Sequence, residues 1–302
     1  MILARDILTR SARSVDRIVP VVSKPGADPR VQRGDTVIAP GDWARTDPFL
    51  LLSEDWFSEI GFTWHPHRGF ETVTLVIEGA AEHGDNAGHS GVLQTGDVQW
   101  MTAGSGIVHK EVAHGPLPLH TLQLWVNLPA ALKGVEPAYQ DLRRDDVPTW
   151  TADGVAVRIF AGTHDGLTAA TRTRHPETML DIEIDQGAGV EVDVPPAHRA
   201  FGYVLGGAVR IGGVGGAQTE VAAGNTFWFD PVADPTSTVR IAAASPSRVI
   251  FMHGLPIGEP VVAGYRRRGG SFVMNTQDEV QQAFEDFGAG RFGATPGPVP
   301  GT

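Results

Sequence analysis

The stretch HPHRGFETV, residues 65–73, carries His65 and His67 two positions apart in a run that reads as a β-strand. Alternate strand residues share a face, so the two imidazoles point one way and Pro66 and Arg68 the other. Downstream, GDVQWMTAGSGIVHKEVAHG repeats the spacing, with His109 and Glu111 on either side of Lys110. Two such strands side by side would offer three imidazoles and a carboxylate. That donor set suits one first-row divalent ion and leaves coordination positions open for chemistry. Glu71 shares the strand parity of His65 and His67 and competes with Glu111 as the carboxylate ligand, or else orients a histidine from behind. The other histidines are expected at the surface or in ordinary hydrogen bonds. His83 and His89 lie in the polar turn EHGDNAGHSG, and His114, His120, His164, His175, His198 and His253 lack a partner at ligand spacing. Trp64, Phe70, Trp100 and Met101 flank the ligand segments and read as core, or as walls for a flat aromatic molecule.

The elements that must position these groups are short strands. Among 302 residues, 37 glycines and 22 prolines punctuate alternating runs such as ETVTLVIEG, GVAVRIFAG, VEVDVP and STVRIAAA. This pattern predicts an all-β sandwich or barrel. An internal repeat sharpens it: Gly79 matches Gly207, Gly96 matches Gly224 and Trp100 matches Trp228, all at one offset of 128. One β-barrel unit used twice follows. At that offset His65, His67, His109 and Glu111 fall on Asp193, Pro195, Ser237 and Val239, so the second copy lacks the donor set. Donors confined to one half argue for a site rather than for packing.

The polar stretch PAYQDLRRDDVPTWTADG reads as the connection, which divides the chain near residue 140. A first barrel with the metal site is expected over 1–140 and a second, with a short C-terminal helix, over 141–293. For that helix, Thr276 and Glu279 form a capping box, Val280, Ala283, Phe284 and Phe287 share one face, and Gly288 is a stop signal. The Pro/Gly-rich 294–302 is expected to be a disordered tail.

Composition narrows the function. A net charge of −11 works against direct nucleic-acid binding. The absence of cysteine excludes disulfides and thiol chemistry and leaves His, Asp, Glu and water for a metal. No apolar run reaches the ~20 residues of a membrane span, and the charged N-terminus lacks a signal-peptide core, so a cytoplasmic protein without membrane contact is expected. GAGRFG near the C-terminus follows a helix, the wrong context for a phosphate loop.

Taken together, HPHRGFETVTLVIEG, WMTAGSGIVHKE, LQLWVNLPAALKGVEPAYQ and FVMNTQDEVQQAFEDF resemble the pirin family of the cupin superfamily, from DPFLLL at residue 47 to RFG ending at 293. The resemblance implies a bicupin, two cupin-type β-barrels with one mononuclear metal in the first. It places the ligands on His65, His67, His109 and Glu111, which favours Glu111 over Glu71. The family metal is usually iron, although the same donors also serve Mn, Ni, Cu, Co or Zn. The implied activity is that of a quercetin 2,3-dioxygenase acting on a flavonol and O2 with release of CO, with Glu111 as the base for the flavonol hydroxyl. The alternative it implies is a non-enzymatic, metal-dependent redox-sensing or regulatory protein that binds a protein partner. Three features depart from the family pattern: Lys110 replaces a small polar residue, HGDNAGH keeps only part of the His, Asp and Asn set, and the segment before residue 47 fits poorly.

Overall fold

The computed structural model describes residues 11–25, 33–57, 61–115, 118–212, 218–234, 237–265 and 270–297. Strands dominate them, and the α-helices among them are Trp43–Thr46 and Gln277–Gly288. No described helix is long and apolar enough to cross a membrane. The chain forms two units: Val22–Asp146 with Ile257–Thr302, and Met1–Val21 with Val147–Pro256.

The unit that carries His65, His67 and His109 has two sheets. The larger runs in the order Ala138–Leu142, Val98–Thr102, Phe70–Glu78, Leu119–Asn127, Phe49–Phe57, Arg33–Ile38, Val22–Pro25. The smaller runs Val262–Tyr265, Ser271–Met274, Gly61–Arg68, Ile107–Ala113, Ala80–Asp85, Ser90–Gln94. Phe57, Val76 and Leu119 of one sheet meet Ala81 and Leu93 of the other in a shared core. The second unit repeats this plan with seven and five strands. Its alternation is plain in Gly189–Asp193, where Val190 and Val192 are buried between exposed neighbours.

The division expected at residue 140 needs correction at both ends. Ala138–Leu142 pairs with Val98–Thr102, so the first unit runs on to Asp146. Ser11–Ala12 and Arg17–Pro20 pair instead with Ser237–Ala243 and Asn225–Phe229 of the second unit. The C-terminal helix, expected on the second barrel, belongs to the first. Its capping box is formed as predicted, but Ala283, Phe284 and Phe287 pack with Val108, Phe272 and Trp64. The cause is Ser271–Met274, which adds in parallel to Gly61–Arg68 and carries the helix with it. Of the expected tail, 294–297 are described and Gly297 lies against Trp64, a Cβ there falling 2.7 Å from Nε1. Residues 298–302 lie outside the described residues.

The repeat holds in the ladders. Trp100 faces Val73 as Trp228 faces Phe201, and Gly79, Gly96, Gly207 and Gly224 all take positive φ, between 76° and 89°. Its constant offset does not extend to the ligand strands. Glu111 faces His83 where Ile241 faces Ile211, and His109 faces His65 where Val239 faces Val192. The structural counterparts of His65, His67, His109 and Glu111 are therefore Val192, Val194, Val239 and Ile241, not Asp193, Pro195, Ser237 and Val239. All four are buried in one aliphatic core. The expectation that the second copy lacks the donors stands, with a different set of residues filling the space.

Candidate metal centre

Gly61–Arg68 and Ile107–Ala113 are antiparallel neighbours in which His109 faces His65 and Ile107 faces His67. Cross-strand and alternate residues share a face, so the three imidazoles converge. One ring nitrogen from each lies within 4.8 Å of the others. Each ring is aimed by its surroundings. His65 Nδ1 sits 2.7 Å from the Thr63 carbonyl oxygen, an N–H bond that leaves Nε2 with the lone pair. His67 Nδ1 lies 3.4 Å from the Ser271 carbonyl oxygen, and its ring packs against Phe70 and Trp125 at 5.0 and 5.5 Å.

His109 shows most directly that a metal fits. It is fully buried, and neither ring nitrogen has a hydrogen-bond partner. An imidazole left so would cost on the order of 1–3 kcal/mol per unsatisfied group, whereas an ion held by three nitrogens would take up one of the two. Burial, reinforced by the neighbouring histidines, holds His67 and His109 well below the ordinary imidazole range. They are neutral at pH 7, as ligands must be.

The bend after His67 depends on Gly69. Its φ is +87°, and a Cβ there would stand 2.1 Å from the Val273 carbonyl oxygen. Lys133 pins the same place, its Nζ donating to the carbonyls of Gly69 and Val273 and to Asn127 Oδ1. Burial pushes this ammonium down to about 7. Gly69→Ala is expected to cost about 1–3 kcal/mol for the backbone alone, with the clash in addition. A melt lowered by several degrees together with reduced metal content would be the result; an unchanged melt would show that the bend is not fixed by Gly69.

Glu111 does not join the imidazole cluster. The ladder slips between His109 and Glu111, so that Glu111 faces Phe62. Its carboxyl closes a ring with two other side chains: Glu111 Oε1 and Thr74 Oγ1, Thr74 Oγ1 and Gln123 Oε1, and Gln123 Nε2 and Glu111 Oε2, each 2.6 Å apart. Three contacts need three protons. The threonine hydroxyl supplies one and the amide supplies one to the ring, whichever way the amide is turned. The third must sit on Glu111, as a carboxylic acid. Burial pushes this carboxyl up, in the same direction.

Glu71 faces elsewhere. Gly69 turns the chain into the larger sheet, where Glu71 lies on the strand face opposite Thr74 and accepts from the Thr102 hydroxyl at 2.6 Å. Lys110 also points away from the imidazoles, donating to Glu82. Phe70, Trp100 and Met101 are fully buried core, and Trp64 packs under the C-terminal helix. Thr74 and Gln123 had no place in the sequence reading, and His83 had none as part of the site. His83, expected at a turn, is buried opposite Glu111 with Nε2 3.1 Å from Asp141 Oδ2. The available signal was FETVTLVIE, where Thr72 and Thr74 put hydroxyls on one face of an otherwise apolar strand.

Comparison with known proteins places the chain in a family and a fold. Residues 36–126 match the family model described as Pirin, and 179–293 match that of the Pirin C-terminal cupin domain. A pirin-like protein of Solanum lycopersicum is 42% identical over 248 residues, 82% of each chain. The crystal structure of GK1651 from Geobacillus kaustophilus is 39% identical with a TM-score of 0.79, covering 83% of this chain and 100% of that one. A quercetin 2,3-dioxygenase from Acinetobacter baumannii is 28% identical with a TM-score of 0.80, covering 94% of this chain and 99% of that one.

Proposed function

The chain belongs to the pirin family, and on that premise we propose that it is a metal-dependent dioxygenase that opens flavonols such as quercetin with O2 and releases CO. The observation that carries this reading is the cluster of His65, His67 and His109, with both His109 nitrogens unpartnered, in a fold shared with a quercetin 2,3-dioxygenase. His65, His67 and His109 would hold the ion, with Glu111 as the fourth ligand; iron is the metal we favour, and Mn, Ni, Cu, Co or Zn would accept the same donors. When bound, the ion supplies Lewis acidity toward the flavonol 3-hydroxyl and the one-electron chemistry that dioxygen requires.

The overall change balances: flavonol and O2 give one depside and one CO, with no net proton or electron. Within it the 3-hydroxyl proton must leave and a product carboxyl must form. Glu111 is the group assigned to take that proton: it would accept it as a carboxylate, and Thr74 and Gln123 accommodate its protonated form. The apolar Phe70 and Trp125 beside His67 exclude water on that side. Anaerobic quercetin followed by an oxygen pulse tests the reading on iron-loaded protein. Depside and CO in equal amounts are expected; fully loaded protein that leaves quercetin intact would overturn the enzyme reading in favour of the metal-dependent regulator.

The ligand role of Glu111 has its own test. His67 and His109 are already neutral at pH 7 and release nothing, whereas Glu111 must shed the proton of its ring to become a carboxylate ligand. Loading the metal-free protein is expected to release about one proton per ion, read from the buffer dependence of the binding enthalpy. Glu111→Gln should abolish that proton. Equal release from both proteins would remove Glu111 from the ligand set.

A further inference from the structure

The second unit has its own cleft of roughly 1040 Å³, lined by residues between Trp150 and His253. It is not a relic of a metal site, because the positions that match the metal ligands are the buried Val192, Val194, Val239 and Ile241. Polarity is inverted one layer further out. Where the first unit has Phe70, Trp125, Leu51 and Ile107, the matching positions here are His198, His253, Thr178 and Ser237. Thr178, Ser237 and His253 are buried, as are His164 and Glu177, and all five line the cleft. A floor of buried polar groups beside an aliphatic core is costly unless something uses it. His164 makes the point separately: it is only 5% exposed and its Nε2 has no hydrogen-bond partner. None of these histidines has a neighbour at ligand spacing in the sequence, yet the fold brings His198 Nδ1 and His253 Nδ1 to 2.9 Å.

We propose that this cleft is a second small-molecule site, one that takes a neutral, polyhydroxylated ring compound. Charge decides the class. Among the described residues no lysine or arginine lines it, so an anion would find no countercharge. A cation would meet the carboxylates of Asp165, Glu177 and Asp193 in the lining, but it is opposed from behind by the Arg13 guanidinium, which donates to the carbonyls of Pro195 and His198 in the wall, and the same carboxylates accept from hydroxyls. Glu191 at the rim is already paired with Arg240 at 3.6 Å. The remaining groups suit hydroxyls. The Nδ1–Nδ1 contact uses one proton, so between them the two imidazoles keep one N–H donor and one lone pair on their outer nitrogens. Burial supports their neutrality, holding His198 at about 4 and His253 at about 3. Trp150, whose ring is perpendicular to that of His164 at 5.2 Å, supplies an aromatic side chain in the lining against which a ring would pack.

A polyphenol and a sugar share this chemistry, and the test separates them. Full-length, metal-loaded protein is titrated calorimetrically with resorcinol, a diphenol that does not chelate, and with methyl glucoside. Benzoate and benzylamine serve as charged counterparts. One neutral compound is expected to bind at one per chain, resorcinol identifying a polyphenol site and the glucoside a sugar site. Binding should weaken at least tenfold in the double variant His198→Phe/His253→Trp, which restores the apolar pair of the other barrel, with metal content unchanged. Trp150→Ala should weaken it as well and decides alone if the double variant does not fold. Absence of binding by both neutral compounds, binding untouched by these variants, or tighter binding of either charged compound would overturn the proposal. Quercetin turnover does not enter the readout, so the two readings fail separately.

Discussion

Replacing His109 by valine is expected to empty the first barrel of metal, abolish the proposed quercetin cleavage and yet make the metal-free protein more stable. The three effects share one cause. His109 is fully buried with both nitrogens unpartnered, so the metal-free protein carries a polar ring in a dry place. Removing it takes away one of the three clustered nitrogens, and the loss of affinity should well exceed the ~100-fold typical of losing a group behind a ligand. Removing it also relieves an unsatisfied burial of about 1–3 kcal/mol, which for a unit of this size raises the melt by roughly 2–4 °C per kcal/mol. Valine is the substitute that the molecule itself uses, at Val239 in the second unit. Elemental analysis and melts of the two metal-free proteins provide the check. A His109→Val protein that keeps a full equivalent of metal would mean the imidazoles do not bind it as a set.

Much of this centre was legible because two residues apart on a strand means one face, whatever the fold. His65, His67 and His109 needed only the pairing of their strands, which the repeat of alternating runs already suggested. Glu111 was less legible. Parity puts it on the face of His109, but the slip in the ladder after His109 moves its carboxyl to Thr74 and Gln123, and no local pattern marks such a slip. The same property defeated the offset of 128 on the ligand strands. Glycines and tryptophans at turns and strand centres kept it, whereas the strand holding Val239 and Ile241 is shifted by two residues. Glu71 was misleading because parity does not survive a bend: Gly69 moves the chain from one sheet to the other. The helix was predicted from its cap and face, since those are local. Its docking site was not, since that depends on Ser271–Met274 finding Gly61–Arg68 some 200 residues earlier.

Ending the chain at Pro256 is therefore expected to destroy the metal-bearing unit and spare the other one, the reverse of what a division near residue 140 implies. The second unit is complete within Met1–Val21 and Val147–Pro256. The first loses Phe272, Val273, Val280 and Phe292, all buried. At roughly 1.5–3 kcal/mol for each large apolar side chain, their sum is of the same order as the ~5–15 kcal/mol that holds a domain folded. Polar losses compound it. Arg68 gives up its 2.7 Å bond to Asp286 and the face of Phe292, and Lys133 gives up the Val273 carbonyl. Gly61–Arg68, which carries two of the three imidazoles, becomes an open edge, and the Ser271 carbonyl that aims His67 is gone. One of two thermal transitions should disappear, and metal content should fall to background. The complementary test joins 22–146 to 257–297 through a flexible linker: that chain should fold and bind metal, whereas 1–146 should do neither. Metal retained by the chain that ends at Pro256 would show that the C-terminal segment decorates the barrel rather than completing it.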